Sequence, residues 1–154
     1  MIHQYYLIAA VLTICPLAIF FGEGALRRCG IAIAVNWCLA MAFVLGTGVF
    51  DPWLWFIAID FAAAFIILWQ PARFAQLVLG CLYVIQIAMH GAYGFAQNSA
   101  AANTYLSRLD MVLVAQLLIL GGWAVGHIYK GFRVHHGRVG YPSAAPSHRE
   151  GVAK

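Results

Sequence analysis

The sequence predicts an all-α, polytopic transmembrane bundle, and three observations predict it. Of 154 residues, 64% are hydrophobic and only 9% are charged, whereas a soluble domain carries about 25% charged residues. Five apolar runs, at 4–21, 30–50, 53–70, 74–95 and 111–129, approach the ~20 residues that a helix needs to cross ~30 Å of hydrocarbon. The runs lack strand-like alternation, and in lipid each backbone polar group must be satisfied inside its own segment, so helices are expected rather than a barrel.

Charge placement sets the expected topology. With five crossings, Arg27, Arg28, Arg73, Lys130, Arg133, Arg138, Arg149 and Lys154 share one side and Arg108 alone lies opposite. The positive-inside rule then puts the N-terminus outside and the C-terminus in the cytoplasm. The localisation expected is the cell membrane, multi-pass, which in a bacterium is the inner membrane. The net charge of +4 speaks for anionic headgroups at the cytoplasmic face, and no aromatic-basic pattern points to nucleic acid.

The first run opens on Tyr5 and Tyr6, where interfacial aromatics sit, and carries Pro16 in its interior. A proline there cannot donate to the carbonyl of Leu12, and Thr13 is near enough in sequence to offer that acceptor a hydroxyl. This run is not read as a secretory signal, because Met1-Ile2-His3-Gln4 supplies no basic residue and Gly22-Glu23-Gly24-Ala25 is a poor cleavage context. The second run, rich in Ala, ends near Gly46-Thr47-Gly48 and contains Asn36, expected to make an interhelical hydrogen bond. Ala42 and Gly46 form a small-xxx-small pair and are expected to mark a packing face.

The third run has a sharp start. Asp51 can cap free amides, Pro52 suits the first turn, and Trp53 and Trp55 anchor an interface. Pro71 ends this helix, and the short turn at Arg73 makes the third and fourth helices an antiparallel hairpin. Residues 96–110 read as a solvated external loop, closed by a capping-box pattern at Ser107-Arg108-Leu109-Asp110. In the last run Gly122 and Gly126 form a G-x-x-x-G match, expected to pack inside the chain or against a second copy. Residues 1–130 are thus the helical domain, and 131–154 are a flexible basic tail.

The candidate site follows from one cost. A carboxylate near mid-bilayer costs about 3 kcal/mol on insertion scales, so Asp60 needs a partner. It lies ~10 Å into its helix, and Gln86 and His90 reach similar depths from the opposite face. Tyr83, Gln86, His90 and Tyr93 share one helix face by their spacing of three, four and three. Gln116 on the last helix falls in the same depth layer, so the expected buried polar cluster is Asp60, Tyr83, Gln86, His90 and Gln116.

Several chemistries are not expected. Cys15, Cys29, Cys38 and Cys81 form no C-x-x-C pair and read as small apolar packing residues. His127, His135, His136 and His148 are too irregularly spaced for a metal site. His90 and His127 sit at different depths, which disfavours bis-histidine haem, so no cofactor is implied. No H-E-x-x-H, G-x-S-x-G or phosphate-binding glycine motif is present, so no enzyme is expected. Two readings remain. One is a non-catalytic membrane subunit or scaffold packed through its polar layer, meeting a second copy or a partner subunit. The other is a proton- or cation-coupled transporter or oligomeric pore using Asp60 and His90.

Overall fold

The structure, a computed structural model, describes residues 2–47, 53–71, 73–96 and 99–138. It is all-helical: α1 Ile2–Phe21, α2 Ala25–Thr47, α3 Trp53–Leu68, α4 Phe74–Ala96 and α5 Ser99–Arg138. Three helical stretches, Ala25–Thr47, Phe74–Ala96 and Thr104–Arg133, are long and apolar enough to cross a membrane. Two further apolar stretches, Tyr5–Phe21 and Trp53–Leu68, are shorter.

Each turn has a local cause. At the end of α1, Arg27 Nε donates to the carbonyls of Ile19 and Gly22 at 3.0 and 3.1 Å, satisfying acceptors that a helix C-terminus leaves open. Gly24 then takes a positive φ of 49°, a conformation a glycine adopts without a side-chain penalty. After α3, Gln70 turns the chain with a positive φ of 54° ahead of Pro71. The backbone N–H of Arg73 donates to Gln76 Oε1 at 3.2 Å, the reciprocal half of a capping box at the start of α4. Gln76 Nε2 donates in turn to the carbonyl of Ile67 at 3.2 Å. One buried amide therefore ties both arms of the hairpin.

Consecutive helices pack side by side, with α3 against α4 the most extensive contact, and α5 closes the set against α4, α1 and α2. The hairpin register is visible at three levels. Leu68 fills the space beside Gly80, Asp60 meets His90, and the Trp53 indole lies over Gly94. All five helices contribute to one apolar core, with Cys15 from α1, Cys29 and Ile33 from α2, Ile67 from α3, Leu79 and Tyr83 from α4, and Leu120 from α5. The outer surface is no less apolar. Phe20, Leu45, Phe61, Phe95 and Leu118, one on each helix, are all exposed. An all-round apolar surface of this kind suits hydrocarbon and not water.

Four expectations need correction. Residues 99–110 are helical, so the segment read as an external loop is the first part of a 40-residue α5, and Ser107 to Asp110 lie inside a helix instead of capping one. The run Ala100-Ala101-Ala102 carries high helix propensity that its polar neighbours masked. The same helix runs past Lys130 to Arg138, so residues 131–138, expected in a flexible tail, are helical. Thr13 Oγ1 bonds back to the carbonyls of Ala9 and Ala10 at 2.7 and 3.1 Å instead of serving Leu12.

The last correction concerns helix packing. A Cβ added at Gly46, Gly122 or Gly126 would meet nothing within 4 Å, and Ala42 is exposed. None of the three glycines is closely approached on its side-chain side within the chain. Close approach occurs instead at Gly30 against Ala18 and at Gly94 against Trp53, where an added Cβ would stand 2.9 and 2.5 Å from its neighbour. Asp51, Pro52, Gly48 and residues 139–154, including His148, lie outside the described residues.

Gly94→Val should therefore lower the thermal midpoint in detergent, by an overpacking cost of about 1–3 kcal/mol. Gly122→Val should leave it unchanged. A circular-dichroism melt of the two variants beside the parent checks both.

Candidate functional site

The site is built on the half of the bundle nearer Trp53 and Gly94. Asp60 is drawn there by the register of the α3 and α4 hairpin, with 1% of its surface exposed. Its Oδ1 accepts a 2.8 Å hydrogen bond from Asn36 Nδ2 on α2. Its Oδ2 stands 3.0 Å from His90 Nε2 on α4 and accepts no aligned hydrogen bond. The contact is a polar one across a short gap, and the low dielectric around it strengthens the attraction.

His90 carries the chain of contacts onward. Its Nδ1 meets the Tyr105 hydroxyl of α5 in a hydrogen bond. The carboxylate favours the ring proton on Nε2, which leaves Nδ1 to accept from the phenol. Two aromatic contacts fix the ring. Phe56 lies against it with centroids 5.3 Å apart, and Tyr105 meets it edge-on at 5.6 Å. Tyr105 is itself stacked on Tyr93 at 4.2 Å and 7°. Asn36, Asp60, His90 and Tyr105 thus form one polar relay that takes a side chain from each of α2, α3, α4 and α5.

The expected cluster is brought together in part. Asp60 and His90 are adjacent. Gln86 does not join them: its Oε1 accepts a 3.1 Å hydrogen bond from Gln116 Nε2, so the two glutamines form a separate link between α4 and α5. Tyr83, two turns below His90 on the same face, is packed in the apolar core. Sequence reasoning placed Asn36 as an interhelical donor without naming Asp60 as its partner, and it missed Tyr105. Tyr105 could have been found from the helical propensity of 100–106, which sets its ring one helix away from His90.

The relay ends in two clefts. Asn36 lines a groove of about 530 Å³ between α2 and α3 that also holds Arg27 and Arg28. Tyr105 lines a cleft of about 300 Å³ between α4 and α5, with Tyr93, Thr104 and Arg108. Among the described residues no three His, Cys, Asp or Glu side chains come close enough to hold a metal ion. Cys15 and Cys29 are buried in the core, whereas Cys38 and Cys81 face outward, all as free thiols.

No family model, curated protein or solved structure matches this chain. Fold and site together define an all-helical protein with several membrane-length apolar helices around a buried carboxylate and imidazole. Any closer reading rests on the chemistry of the site.

Removing one member of a buried polar pair leaves the other unsatisfied, which costs about 1–3 kcal/mol and more for a charged group, whereas replacing both by apolar groups of similar shape can be nearly neutral. His90→Leu should therefore destabilise the bundle strongly, and Asp60→Leu with His90→Leu should recover much of that loss. Thermal melts of the parent, the two single variants and the double variant give the coupling directly.

Proposed function

We propose that this chain is a multi-pass membrane protein of five spans, with the N-terminus outside and the C-terminus cytoplasmic. We further propose that it acts as a non-catalytic membrane subunit or scaffold pinned by its buried polar relay. The observation that carries the scaffold role is the engagement of both Asp60 oxygens, by Asn36 on one side and His90 on the other. A carboxylate held this way fixes the register of three helices, and Tyr105 extends the hold to a fourth. In lipid, where helices gain no hydrophobic drive toward one another, packing and polar contacts supply that specificity.

The topology is supported by charge. Arg27, Arg28 and Arg73 lie at one end of the bundle, and Arg108 lies near the other. At 1.5 Å per residue α5 is about 60 Å long, enough to cross the bilayer and project from it. Leu118, Gly122, Val125 and Gly126 are exposed on that helix. This face is open to a second copy or a partner subunit.

One observation favours a second reading, proton-coupled transport through the same residues. The relay joins a carboxylate, an imidazole and a phenol in sequence and reaches a cleft at each end. Groups of these kinds make up intramembrane proton relays.

Under the scaffold reading, Asp60→Asn lowers the thermal midpoint in detergent or releases a co-purifying partner, and proteoliposomes of parent and variant show no pH-dependent flux. Loss of neither stability nor partner contradicts it. A pH-dependent flux in the parent that Asp60→Asn abolishes transfers the role to transport. Membrane integration itself is checked by alkaline carbonate extraction, in which the chain stays with the lipid pellet.

A further inference from the structure

The groove between α2 and α3 is built from two ridges. Arg27, Ile31, Val35 and Leu39 recur every four residues along α2, and Ala58, Ala62 and Ile66 do the same along α3, so each set forms one row on its helix. Ile31, Val35, Leu39 and Ile66 are large, apolar and exposed. Between them the small side chains of Ala58 and Ala62 leave an open trough. From Arg27 to Leu39 it runs about 18 Å, slightly more than one leaflet of a ~30 Å hydrocarbon core.

The mouth of the trough is cationic. Arg27 Nε is committed to the carbonyls of Ile19 and Gly22, which holds its guanidinium at the turn between α1 and α2. Arg28 lines the same groove, and its Nε is buried without a hydrogen-bond partner. A buried donor of this kind costs free energy until the side chain turns to meet an acceptor. Apolar length below and an unmet guanidinium donor above describe a molecule with an anionic head and a hydrocarbon chain.

We propose that the α2 and α3 groove binds one anionic phospholipid from the leaflet on the Arg28 side, its phosphate on Arg28 and Arg27 and one acyl chain in the trough. Guanidinium and phosphate form charge-assisted hydrogen bonds with either lipid class, and what disfavours a zwitterionic one is its choline ammonium, which cancels the phosphate charge and brings a cation toward two arginines. The acyl chain crosses the row at Asn36, so the bound lipid also covers the edge of the polar relay where Asn36 holds Asp60. The site rests on the membrane reading given above, which carbonate extraction tests separately.

The test reconstitutes the full chain with equal phosphatidylglycerol and phosphatidylcholine, returns it to mild detergent, and identifies retained lipid by native mass spectrometry. The expected result is one phosphatidylglycerol per chain, favoured about tenfold over phosphatidylcholine, as the attraction of two arginines for one uncompensated negative charge allows. Arg28→Gln should abolish the preference. Ala62→Trp, which fills the trough, should abolish retention of either lipid while the thermal midpoint holds. Equal retention of the two lipids by the parent overturns the proposal, and that comparison stands even where a variant fails to fold. So does retention unchanged by both variants, displacement of the lipid by millimolar glycerol phosphate alone, or a dimer in place of a lipid that Ala62→Trp dissociates.

Discussion

The structure depends on keeping one carboxylate out of hydrocarbon. Asp60 is the only acidic side chain within the first four apolar runs, and the bundle is arranged so that it never faces outward. Its neighbours Phe61, Phe65 and Ile66 are exposed, whereas Ile59, Ala63, Ala64 and Ile67 are buried with it. The inward face of α3 is therefore polar at Asp60 and small at Ala63 and Ala64. Asn36 and His90 are brought to it by the two helices that flank α3. The penalty for burying a charge is several kcal/mol, larger than any single packing contact nearby, so the register of α2 and α4 follows from that side chain.

The two halves of the bundle divide the work. Toward Arg28 and Arg73 the interior is mainly apolar and tightly packed around the one buried amide of Gln76, with Cys15, Cys29, Ile67, Leu79 and Leu120 fully buried. Toward Trp53 and Gly94 it is polar, with the relay and the pair formed by Gln86 and Gln116. The apolar half gives close packing without directional preference. The polar half adds direction, because each hydrogen bond tolerates only a narrow range of distance and angle. Glycine serves this division where helices cross closely: Gly30 admits Ala18 in the apolar half, and Gly94 admits the Trp53 indole in the polar half.

What could be read from the sequence was set by which signals act locally. The helical class and the hairpin at Pro71 were legible, because apolar run length and a proline after a helix work within a few residues. Adjacency of α3 and α4 then made Asp60 and His90 neighbours by geometry alone. The pairing of Gln86 with Gln116 was not legible, because it depends on how α5 rotates against α4, and no local signal fixes that rotation. Tyr105 was hidden by composition, since Asn103, Thr104 and Ser107 look like loop residues when a helix continues through them. The small-xxx-small pairs were ambiguous for a related reason. Spacing shows that Gly122 and Gly126 share a face, but not whether that face turns toward the bundle.

The most direct test of the polar relay is nitrogen NMR of the His90 imidazole in the full chain, in lipid nanodiscs. The expected spectrum has an Nδ1 resonance that Tyr105→Phe moves while Nε2 stays nearly fixed, and an Nε2 resonance that Asp60→Asn moves. A ring whose two nitrogens respond to neither substitution would show that His90 touches neither group, and the relay would be contradicted.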